Sequence, residues 1–166
     1  MSTSASRQEP NRIGQDGAER ISAAAYGLLV AASTLFGLGN RSALTIVGVV
    51  MITNVVFYAT HVFAYSIGPS DTPVGWPSIE HHLRVSAPML SAAFAPLATT
   101  LVALAFGAET STATLVGVVT ATVLLSGVAV VGSVLRGIRG WPLVLIAAGT
   151  LIMAAVLILA KVLVLH

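Results

Sequence analysis

Cysteine is missing from all 166 residues, and charge is scarce: Asp, Glu, Lys and Arg together make up 8%. A soluble domain carries about 25%. The first absence excludes disulfides, thiolate metal sites, iron–sulfur clusters and cysteine nucleophiles. The second excludes an ordinary soluble domain, which needs far more polar surface to cover itself. A formal net charge of +2 is too small for nucleic-acid binding, and the basic residues sit at the ends of apolar runs instead of forming a stripe. Also missing are a nucleophile elbow, a P-loop, an HExxH motif and paired carboxylates within the apolar runs. The expected spans contain no acidic residue at all, which argues against ion-coupled transport and intramembrane proteolysis.

What remains is hydrophobic: 56% of the chain, gathered in five long blocks. They cover about 21–38, 43–67, 85–107, 112–135 and 142–165, and each is long enough to cross roughly 30 Å of hydrocarbon. The runs show no period-2 alternation and no regular turns, which argues against a β-barrel. The spacing predicts an all-α, polytopic membrane helical bundle of about five transmembrane helices. Residues 1–18 are polar and cannot bury enough apolar area to offset ordering entropy, so a disordered tail is expected ahead of a 19–166 transmembrane domain. The tail is too acidic for a cleavable secretory signal.

Basic residues near the span ends set orientation. Arg7, Arg12, Arg20, Arg84, Arg136 and Arg139 share one side, against Arg41 and Lys161 on the other. The N-terminus is therefore expected in the cytoplasm and the C-terminus outside. Trp76 and Trp141 fall at the same cytoplasmic boundary, as interfacial anchors do. Lys161 is expected to anchor the outer end of its span by snorkelling, with Glu109 as a candidate partner. Short connections force antiparallel hairpins, and Gly39-Asn40 is a good helix stop. Within the longer connection, a short interfacial helix is expected over about 79–87. Ser78 would be its N-cap, and Glu80 and Arg84 would pair at i, i+4. Pro88 then bends the chain into the third span. Pro96 adds a second kink, and the freed carbonyls are available to Thr99 and Thr100 hydroxyls or to water. Such a span serves either as a gate element or as a permanently bent packing element. Ser33-x3-Gly37 and Ser133-x3-Gly137 are candidate close-packing pairs.

Three groups can carry chemistry. Asn54, Tyr58, His61 and Tyr65, at i, i+4, i+7 and i+11, fall within roughly 60° of one helix face. Facing lipid they would cost several kcal/mol, so they should face the bundle or an aqueous cavity. One reading is a proton- or ligand-responsive track with His61 as its titratable element. The plainer one is hydrogen-bonding glue between helices. The second group is His61, Glu80, His81 and His82, a candidate metal or proton site. Adjacent histidines point about 100° apart on a helix, so they make a poor clamp without a ligand from elsewhere. The third is Lys161.

The segments ERISAAAYG at 19–27, THVFA at 60–64, HHLR at 81–84 and AKVLVLH at 160–166 resemble a group of small actinobacterial integral membrane proteins. The likeness covers most of 19–166, but neither the 1–18 tail nor the Pro-rich 69–77 loop. It implies a bacterial inner-membrane location and draws attention to His61, His81 or His82, and Lys161. It implies no activity. The leading expectation is a non-enzymatic binding or interaction module in the lipid bilayer, as a homo-oligomer or a subunit of a hetero-complex. One alternative is a small channel or transporter for protons or a small solute using the Asn54–Tyr58–His61 face. The other is a metal- or haem-binding membrane protein.

Overall fold

Long apolar runs leave the backbone to satisfy its own hydrogen bonds, and every described element is a helix. The computed structural model describes residues 14–39, 41–67 and 76–165. Side chains are described throughout these ranges except at 15, 67, 151, 153–155, 157, 158 and 160–165. Most of the expected tail, the Pro-rich 68–75 stretch, Asn40 and the Lys161 side chain lie outside the described residues.

In chain order the helices are α1 (Gln15–Gly37), α2 (Ala43–Ile67), α3 (Trp76–Ser86), α4 (Pro88–Ala92), α5 (Phe94–Ala105), α6 (Thr110–Leu135) and α7 (Trp141–Leu165). Four stretches, Asp16–Gly37, Ala43–Ser66, Trp76–Ala105 and Thr110–Leu135, are long and apolar enough to cross a membrane. The last helix, α7, has 25 residues. The helical-bundle architecture thus matches the expectation.

Two boundaries differ. Helix α1 starts at Gln15, so residues 15–18 are helix instead of tail. Asp16 sits in its first turn, where a carboxylate suits the macrodipole, and tertiary packing against α3 and α6 supplies what local composition does not. The statement that the spans lack acidic residues therefore fails for α1, whose apolar stretch begins with Asp16 and includes Glu19. The short helix is also longer than expected. It starts at Trp76, which places Ser78 inside the helix and not at its cap. Pro77 is tolerated there because first-turn N–H groups have no intrahelical partner.

Both prolines lie at interruptions within one helical stretch, Trp76–Ala105, whose joining residues Ala87 and Ala93 keep right-handed helical backbone. Pro88 is the first residue of α4, after the break at Ala87. Pro96 lies in the first turn of α5, just after the break at Ala93. Thr99 and Thr100 do donate hydroxyl hydrogen bonds, at 3.0 and 2.8 Å, but to the carbonyl of Pro96 itself. The carbonyls that the prolines release belong to Arg84 and Ala92.

Helix α1 is the hub, packing against α2, α3, α4 and α6, while α5 and α7 lean on α6. The main core gathers Leu35, Ile46, Val50, Leu97 and Val118, and a second cluster joins Ala23, Val30 and Met89 with Tyr58 against it. Close helix approach is made by other glycines than those the small-residue pairs suggest. A Cβ on Gly27 would run into the Met89 carbonyl oxygen, and one on Gly117 would run into the Thr100 hydroxyl. Gly37 has open space around it, and Gly137 lies beyond the end of α6 at φ +82°. There the Gly137 and Ile138 N–H groups donate to the Val134 and Ser133 carbonyls, a Schellman termination that turns the chain sharply towards α7.

Candidate metal centre

The opening turns of α1, the last turns of α2 and the body of α3 meet at one end of the bundle. A hydrogen bond and a set of ring contacts show how. Tyr58 donates its hydroxyl to the Leu83 carbonyl at 2.9 Å, tying α2 to α3. The ring of His61 lies 6.1 Å from Tyr26 and 4.7 Å from Tyr65. Tyr65 in turn lies 5.7 Å from His82, and His82 lies 5.4 Å from His81 in an edge-on arrangement. Five rings from three helices thus form one chain of contacts.

At the end of that chain, Glu19, His81 and His82 bring one ligand atom each to within 4.8 Å of one another. Asp16 stands one turn before Glu19 and places Oδ1 3.6 Å from the His81 Nε2. Two imidazoles and one or two carboxylates form a nitrogen–oxygen donor set suited to Zn²⁺ and its first-row neighbours, and not to Mg²⁺ or Ca²⁺, which take oxygen alone. Tetrahedral bonds of about 2.0–2.2 Å would hold the ligand atoms about 3.4 Å apart. From separations of up to 4.8 Å, the ligand atoms need to close by at most about 1.4 Å. His81 and Asp16 are substantially exposed, with side-chain exposures of 48% and 66%, so an ion can reach them. Glu19 and His82 are half-buried.

The expected site set is thereby revised. Glu80 turns away to Arg84, at 2.6 Å, in the i, i+4 pair that spacing foresees. Its place is taken by Glu19, with Asp16 beside it, from α1. The adjacent histidines converge because their partner comes from a facing helix, so the angle between them along α3 does not forbid a shared ligand. His61 joins through Tyr65, as part of the ring chain and not of the ligand cluster. A carboxylate at a helix entry, flanked by tail charges, carries no local mark that it will face histidines some sixty residues away.

The polar face of α2 meets several different surroundings. Asn54 is buried at 1% exposure, donating from Nδ2 to the Val50 carbonyl at 2.9 Å. Its Oδ1 has no hydrogen-bond partner among the described residues. Tyr58 is half-buried against the second core cluster, His61 lies between two tyrosines, and Tyr65 is 44% exposed. Trp76 and Trp141 are exposed at 74% and 71%, as are Arg84, Arg136 and Arg139. No family model, curated protein or solved structure matches this chain.

Proposed function

We propose that the chain is a five-span integral membrane protein that binds a first-row divalent transition metal, Zn²⁺ by preference, at the end of the bundle where the N-terminus lies. The observation that carries this reading is the convergence of Glu19, His81 and His82 from two helices on one point. The membrane part is supported by the four long apolar stretches, by α7, and by a sheath of exposed apolar side chains. Leu44, Ile52, Phe63 and Phe106 are 64–88% exposed, a pattern costly in water and ordinary against acyl chains.

In this role the protein is a binding module and not a catalyst. The metal staples α3 to α1, so occupancy is coupled to the position of the short helix that leads into α4 and α5. Asp16, beside His81, either joins as a fourth ligand or orients the imidazole from behind, as carboxylates commonly do at zinc histidines.

The test is zinc titration of purified, tag-free protein by isothermal calorimetry, with metal content checked by mass spectrometry. One equivalent is expected to bind, and Glu19→Gln and His82→Ala should each weaken binding by more than about ten-fold, since even supporting residues are worth that much. Glu80→Gln, outside the cluster, should leave affinity unchanged. Binding that is absent, or indifferent to Glu19 and His82, would refute the assignment.

A further inference from the structure

A second feature lies between α1, α6 and α7. Because α7 leans on α6, a half-open groove of about 330 Å³ separates it from α1. Its walls are apolar, with Ile21, Ala25, Val128 and Ile146 among them, and Ser22 adds a hydroxyl on the α1 side. Arg136, at the end of α6, also lines it. The volume falls at the lower end of small-molecule sites, and the mixture of apolar walls with a few polar groups is typical of them.

We propose that this groove holds an anionic phospholipid, with an acyl chain lying between α1 and α7 and the phosphate on the Arg136 guanidinium. Charge complementarity chooses the occupant. The ion pairs among the described residues are Asp16 with His81 and Glu80 with Arg84, so Arg136 has no carboxylate partner there. Arg139, also exposed, follows three residues later in the same connection but does not line the groove. A guanidinium offers a planar fork that matches phosphate oxygens, and it sits where the helix ends, at headgroup depth. A zwitterionic lipid brings its own cation to this position and gains less.

This inference rests on the membrane reading but not on the metal centre. Its test is native mass spectrometry of the full, tag-free chain released from detergent micelles, titrated with phosphatidylglycerol or phosphatidylcholine of identical acyl chains. Phosphatidylglycerol is expected to bind about five-fold more tightly, the ratio that roughly 1 kcal/mol per surface arginine gives. Arg136→Gln should weaken phosphatidylglycerol more than phosphatidylcholine, erasing that preference, and leave zinc affinity unchanged. Ala25→Phe, which fills the groove, should weaken both lipids. If that variant does not fold, the exposed Arg136→Gln substitution decides alone. Equal binding of the two lipids by the unmodified protein, or a preference that survives Arg136→Gln, overturns the proposal. A chain that stays dispersed and folded without micelles would instead refute the membrane reading beneath it.

Discussion

Asn54 shows how a polar residue on an otherwise apolar helix can be structurally expensive. Its Nδ2 donates to a carbonyl of its own helix, and its Oδ1 is buried with no partner among the described residues. An unsatisfied buried acceptor costs about 1–3 kcal/mol, whereas an apolar group of similar shape removes that cost. Asn54→Leu is therefore expected to keep or raise the thermal unfolding midpoint in detergent, by up to about 1 kcal/mol of stability. A loss of more than about 2 kcal/mol would show that Oδ1 has a partner it needs. The spacing of Asn54, Tyr58, His61 and Tyr65 is legible as a shared helix face. What each meets is not, because the partners, Leu83, Tyr26 and His82, come from other helices. The same holds at the candidate metal centre. His81 and His82 are conspicuous by adjacency, but Glu19 becomes a ligand candidate only once α1 and α3 are packed.

Among the elements, two glycines make opposite demands. A side chain at Gly27 would strike the Met89 backbone, where α1 crosses α4, and backbone cannot swing aside as a side chain does. Gly48 sits inside α2 with open space where a Cβ would go. Gly27→Ala should cost about 1–3 kcal/mol by overpacking, while Gly48→Ala should gain up to about 1 kcal/mol from helix propensity. Thermal unfolding of the two variants side by side checks both signs, and equal effects would mean that α1 and α4 are not in close contact. The helices themselves are readable from apolar length, and the break before Pro88 from the missing N–H. The break at Ala93 is readable only in outline. Pro96 signals an interruption nearby, but which residue ends the preceding turn depends on how α4 seats against α1.

For the whole molecule, the arrangement of the ends carries the strongest consequence. The start of α1, the end of α2, the start of α3 and the α6–α7 turn lie together, as the His81–Asp16 pair, the ring chain and the groove at Arg136 establish. The α1–α2 and α5–α6 turns belong to the opposite end, because each long helix runs the length of the bundle. Lys and Arg are retained on the cytoplasmic side, and Arg20, Arg84, Arg136 and Arg139 belong to the first end while Arg41 belongs to the second. The chain contains no cysteine, so single introduced thiols report topology against a silent background. Ser42→Cys and Glu109→Cys, both at exposed positions, are expected to react with a membrane-impermeant maleimide in intact spheroplasts. Gly14→Cys, exposed at the start of α1, is expected to react only after the membrane is opened. The reverse pattern would invert the orientation and put the candidate metal centre on the outer face, where it would meet extracellular instead of cytoplasmic metal. Reaction at all three sites in intact spheroplasts would mean that the apolar stretches do not span the membrane.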